Sequence, residues 1–177
     1  MVAIIVRVVR RKVVKKDLRW LLAFPVYAII AIIVHEGSHA LAAMAEGARI
    51  TKCVFWPTFH PVHFGYALWH GPTTWFAMAA PYFSGLIVFL VALLIVLEAK
   101  PRPRWVWLNI LIMGMALPFL NSALNYGYYL AGAQNDITKL VQCLHPMAVH
   151  LYFVLTMLLY AWGLYYCYFR KKGPGLT

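Results

Sequence analysis

Acidic side chains are scarce in this sequence: only Asp17, Glu36, Glu46, Glu98 and Asp136 occur in 177 residues, against sixteen lysines and arginines. Charged residues of both signs make up 12% of the chain, where a soluble domain carries about 25%. With 63% of the residues hydrophobic, there is too little polar side chain to cover a water-facing surface. That excludes a disordered, collagen-like or ordinary cytosolic protein. Cysteine is also sparse. Cys53, Cys143 and Cys167 are odd in number and form no CxxC pair, which argues against both a disulfide framework and a zinc ribbon. No internal repeat and no low-complexity linker divides the chain, so one domain is expected.

What the sequence has in quantity is long apolar runs. About 20 such residues cross a bilayer core, and four stretches qualify: residues 20–45, 74–97, 105–130 and 147–169. The expected fold is an all-α membrane protein of about four transmembrane helices. Residues 1–19 form a basic N-terminal interfacial segment, 20–169 the single transmembrane domain, and 170–177 a basic tail. The apolar start, Met1 to Val9, is too short to span and precedes its basic cluster, the reverse of a cleaved signal peptide. Between the first two spans, Gly47–Thr73 differs in kind. Arg49–Trp56 and Val62–Trp69 read as strands around a turn at Pro57–Pro61, which predicts a small β-hairpin at the membrane surface.

The net charge of +11 points to headgroups rather than nucleic acid, because the basic residues lie in the breaks between apolar runs with no aromatic residues interleaved. Thirteen of them fall on the side that holds both ends of the chain and the Glu98–Arg104 loop, and three (Arg49, Lys52, Lys139) fall on the other. The positive-inside rule then places both termini of this multi-pass protein in the cytoplasm.

The first span carries His35-Glu36-Gly37-Ser38-His39, an HExxH motif. Residues four apart lie one above the other on a helix, so both imidazoles can meet one metal ion while Glu36 reaches a water beside it. Ionisable groups inside an apolar span are costly and mark function. Two imidazoles and a carboxylate suit zinc and leave one position open for water. The third ligand must come from the membrane face that holds Gly47–Thr73. Asp17 and Glu98 lie at the opposite face, and Glu46 lies about 10 Å along the helix from His39. Asp136 is the remaining acid, with a helix N-cap before residues 137–144 as its alternative role. Cys53 and Cys143 are fallback ligands or a disulfide, and His60, His63, His70 and His145 read as surface residues. Asn121 and Asn125, one turn apart in the third span, face the same way and either contact a substrate carbonyl or bond between helices. Pro81 is expected to kink the second span.

An HExxH in a transmembrane helix, a strand-rich segment after it, the Ala79-Ala80-Pro81-Tyr82-Phe83-Ser84-Gly85 span and an aspartate after a later span together resemble the site-2 protease family of intramembrane metalloproteases. The resemblance covers roughly Ala23 to Leu140. It implies zinc on His35, His39 and Asp136, Glu36 as catalytic base, and hydrolysis of a peptide bond in or beside a substrate's transmembrane segment. The hairpin would hold an unwound substrate peptide as an added strand. The chain departs from the family pattern in having Ile137, not glycine, after Asp136 and no proline between Asn125 and Asp136. The family's active site generally opens towards the cytosol, opposite to the face that the charge count selects. Two other functions compete with the protease: a non-proteolytic zinc-binding subunit of a larger membrane complex, and a metal-ion transporter. The transporter ranks last, because the strong ligands cluster at one depth instead of lining a path.

Overall fold

A computed structural model of the chain describes residues 24–56, 58–59, 62–63, 65–98 and 103–167. The basic segment expected over 1–19 and the tail expected over 170–177 lie outside these residues. So do the first four residues of the first expected span and the last two of the fourth.

Helix α1 is Phe24–Ala45, and α2 is Trp75–Leu97. A third long helix runs as α3 (Arg104–Asn109), a π-helical stretch (Ile110–Ala116) and α4 (Leu117–Leu130). The short α5 (Asp136–Cys143) and the long α6 (Pro146–Tyr165) follow. Among the described residues, four stretches are long and apolar enough to cross a membrane: Pro25–Ala45, Trp75–Leu97, Trp105–Leu130 and Pro146–Tyr165. Their outward faces carry exposed Ile29, Leu41, Ile87, Leu94, Leu124 and Leu158. That is the apolar exterior which the composition demands and which water would not tolerate over so large an area.

The π stretch was not legible in the sequence. Pro118 follows it by two residues and has no N–H for the Gly114 carbonyl four residues back, where an α-helix would require one. The ladder widens instead, and Leu117 N–H reaches back five residues to Ile112 O. The stretch also turns Gly114 onto α2, where a Cβ would collide with Ala92.

Between α1 and α2 lies the hairpin, smaller and more broken than expected. Strand β1 (Arg49–Val54) pairs antiparallel with β4 (Tyr66–His70), with an irregularity between Ile50 and Lys52. At the tip β2 (Thr58–Phe59) pairs with β3 (Val62–His63) as a separate two-residue ladder. The expected turn at 57–61 thus contains a strand residue pair, and its prolines lie outside the described residues.

Two apolar clusters hold the helices together. One gathers Ala42, Ala43, Ala77, Tyr82, Tyr126, Ile137 and Phe153 around the hairpin end. The other gathers Phe89, Leu93, Leu111, Met115 and Tyr160 towards the opposite end. Alanines dominate the α1–α2 contact, so the two backbones approach closely, as apolar helices do where small residues meet.

Candidate metal centre

Helix α1 ends at Ala45 through a Schellman turn: Gly47, with φ of 90°, donates to Met44 O, and Ala48 donates to Ala43 O. The motif residues therefore sit about two to three turns before a sharply terminated end. His35 and His39 meet edge to face, with ring centroids 5.0 Å apart. Helix α4 ends in the same way: Gly132, with φ of 86°, donates to Tyr129 O, and Ala133 donates to Tyr128 O. The chain then turns back under the bundle, and Asn135 caps α5. Its Oδ1 accepts from Ile137 N at 3.1 Å and Thr138 N at 3.3 Å, while Thr138 Oγ1 accepts from Asn135 N. The N-cap role allowed for Asp136 thus belongs to Asn135, and the Asp136 carboxylate is left to face α1.

Asp136 Oδ2 lies 3.0 Å from His39 Nε2 and 3.6 Å from His35 Nε2. One ligand atom from each of the three residues lies within 4.8 Å of the other two, an arrangement that can hold a metal ion. The electrostatics favour a cation there. His39 Nδ1 is 2.7 Å from Ala77 O, which can only accept, so Nδ1 carries the proton. Nε2 then faces a carboxylate oxygen at 3.0 Å, a contact that either a proton on Nε2 or a metal ion between the two atoms makes favourable. His35 Nδ1 is buried with no hydrogen-bond partner among the described residues, a further imidazole atom whose needs the protein does not meet. Burial alone would raise the Asp136 carboxyl, but the two histidine rings beside it, when protonated, outweigh burial and hold it well below the usual carboxylate range.

Glu36 is 8% exposed and sits beside this cluster under the hairpin, where the Ala67 backbone amide hydrogen-bonds its carboxylate. The hairpin presses directly on it: a Cβ on Gly65 would lie 3.1 Å from Glu36 Cγ and 2.6 Å from Ile32 Cγ2. Tyr82, buried in α2, stands edge to face on His35 with centroids 5.8 Å apart, and the Trp69 ring lies 6.2 Å from His39. Neither aromatic stood out in the sequence, since a Tyr or Trp on an apolar segment reads as packing.

The other candidates are placed elsewhere. Asn125 donates to Asn121 O and Asn121 Oδ1, and its own carbonyl accepts from Asn135 Nδ2 at 2.8 Å. The loop that delivers Asp136 is thus braced on the main chain of α4 at residue 125, while the two asparagine side chains bond within their own helix. Glu46 closes the start of α2, accepting from both the Thr74 amide (2.8 Å) and the Thr74 hydroxyl. Cys53 is half-buried, Cys143 is exposed, and neither is in a disulfide. Burial, with the nearby Glu36 charge, pushes the Cys53 thiol up. His70 is exposed on β4 and His145 exposed before α6, whereas His60 lies outside the described residues and His63 is described only as backbone in β3. His150 had drawn no attention in the sequence, and it bonds the Tyr126 hydroxyl at 2.8 Å.

Comparison of the chain with protein-family models, with curated proteins and with solved structures returns no match, so the centre stands on its own residues and geometry.

Proposed function

We propose that this protein is a multi-pass membrane protein and an intramembrane zinc endopeptidase, a small relative of the site-2 proteases, which hydrolyses a peptide bond in or near a substrate's transmembrane segment. The observation that carries the reading is the convergence of His35, His39 and Asp136 within 4.8 Å, next to a buried glutamate. The donor set of two imidazoles and one carboxylate is that of a catalytic zinc site with one position left for water or substrate. When bound, zinc would supply Lewis acidity to the scissile carbonyl and to a water molecule.

The chain's own groups divide the remaining work. His35 and His39 hold two corners of the site, and Asp136 closes the third from a different helix. Glu36 takes the proton from the attacking water and delivers it to the leaving amine. The hairpin covers Glu36 and limits the approach of bulk water, while an extended substrate peptide adds to its free strand edge.

The reading is tested by zinc content in detergent-purified protein, together with cleavage of a candidate membrane-protein substrate. Wild type is expected to hold about one zinc per chain, as a three-ligand site does, and Asp136→Ala to lose most of it. Glu36→Gln should keep the metal and lose cleavage by about 10²–10⁴-fold, the usual worth of a general base. Zinc retained by Asp136→Ala would remove Asp136 from the site. Cleavage that persists in Glu36→Gln would remove the catalytic assignment. Zinc with no cleavage by wild type of any membrane substrate would favour a non-proteolytic zinc-binding subunit.

A further inference from the structure

The geometry points to Pro81 as a positioning residue for His39. We infer that proline at this place in α2 is what frees the Ala77 carbonyl to hold the His39 ring, with Nε2 turned toward Asp136. The inference deepens the zinc-site reading and rests on it for the part that concerns metal.

An α-helix satisfies the carbonyl of residue i with the N–H of residue i+4. Helix α2 runs unbroken from Trp75 to Leu97 with Pro81 inside it, and Pro81 has no N–H to give to Ala77 O. Ala77 is fully buried, and its neighbours Met78, Ala79 and Ala80 are buried too. Water does not reach the freed carbonyl, and an unpaired backbone group there is costly. His39 Nδ1 fills the gap at 2.7 Å. The imidazole is held in one tautomer because its partner has no proton to offer.

The contact is built on both sides. Ala77, Pro81 and Ser84 fall on one face of α2, at spacings of four and three residues. Ser84 Oγ donates to Pro81 O at 3.0 Å and is 2.9 Å from Ser38 Oγ. Ser38, which precedes His39, donates in turn to Val34 O at 2.7 Å. The two serines thus register α1 against α2 one residue from the histidine. Across the ring, Nε2 lies 3.0 Å from Asp136 Oδ2. A carbonyl on Nδ1–H that orients the ring and leaves Nε2 as the ligand atom is the outer-shell arrangement metal-binding histidines need.

The test uses full-length protein in detergent micelles or nanodiscs, with ¹⁵N-labelled histidine and His39 assigned by comparison with His39→Gln. Two variants, Pro81→Ala and Pro81→Val, both restore an N–H at position 81 and lie on either side of proline in volume. Both replace a helix breaker with residues a helix accepts, and circular dichroism checks that helix content is kept. Metal-free wild type should show a His39 Nδ1–H resonance shifted downfield and protected from exchange by its bond to the Ala77 carbonyl. Both variants should lose that shift and protection and bind zinc about 10–100-fold more weakly, as loss of an outer-shell partner does.

An unchanged His39 spectrum in the two variants overturns the inference. So does a change confined to one variant, which would follow side-chain volume rather than the N–H. Loss of fold in both would make the proline structural and also overturn it. If wild type takes up no zinc while the Nδ1–H signal still changes in both variants, the proposed function falls and the role of Pro81 at the ring stands.

Discussion

At the scale of single residues, the centre depends on which acid goes where, because the chain has only five. Asp136 is turned toward the histidines because its neighbour Asn135 takes over the cap. Glu46, at the right face but past the end of α1, is used up on Thr74. Glu36 is held by the backbone amide of Ala67 and pressed by Gly65, so its position depends on a residue with no side chain. Gly65 has φ of 148°, a value L side chains rarely adopt, and a Cβ there meets Ile32, the Val54 carbonyl and Glu36 together. Gly65→Ala should therefore destabilise the protein by about 1–3 kcal/mol, as other overpacking substitutions do. It should also lower cleavage while leaving zinc content near that of wild type, since no metal ligand moves. Thermal unfolding, metal analysis and a substrate assay on the same preparation check this, and a parallel loss of zinc would show that the hairpin supports the ligands as well.

At the scale of elements, α5 is the part most exposed to a single change. It has eight residues, too few to be stable alone. It is held by its capping box, by buried Ile137 and Leu140, and by Asn135 Nδ2 on the Asn125 carbonyl. Asn135→Ala removes both the cap acceptor and this brace, and should cost about 1 kcal/mol of stability for the cap. Zinc affinity should fall with it, because the Asp136 backbone is the first to loosen. Asn135→Asp keeps the acceptor and loses the donor, so it should lie between wild type and Asn135→Ala in both zinc titration and thermal unfolding. Equal zinc affinity in all three would mean that the caps and braces of α5 do not position the ligand.

At the scale of the whole molecule, the hairpin, the start of α2, the α4–α5 turn and the start of α6 gather at one end, and the candidate metal centre lies just inside it. The positive-inside rule predicts that this end faces away from the cytoplasm. Cys143 is exposed there, on the last turn of α5. In cells expressing a variant with Cys53→Ser and Cys167→Ser, an impermeant maleimide should label Cys143 without permeabilisation. Labelling that appears only after permeabilisation would reverse the orientation and place the centre on the cytosolic side, as the family resemblance implies.

The long apolar runs and the four-residue spacing of His35 and His39 were legible because hydropathy and helical periodicity are local. The bilayer's thickness and the helix repeat translate them directly into spans and a shared face. Asp136 was reached only by elimination among five acids, and its contact with His39 spans 97 residues of chain. The broken hairpin, the π stretch before Pro118 and the bond from Ala67 to Glu36 were not legible, nor was the carbonyl that Pro81 leaves to His39. Each of these depends on a backbone group whose partner lies in another element. A sequence lists side chains, but which carbonyl or amide is left over is decided when helices pack and water is excluded between them. Which acid meets the histidines and which ring nitrogen meets the Ala77 carbonyl therefore depended on packing, whereas the spans and the two histidines could be read from local pattern alone.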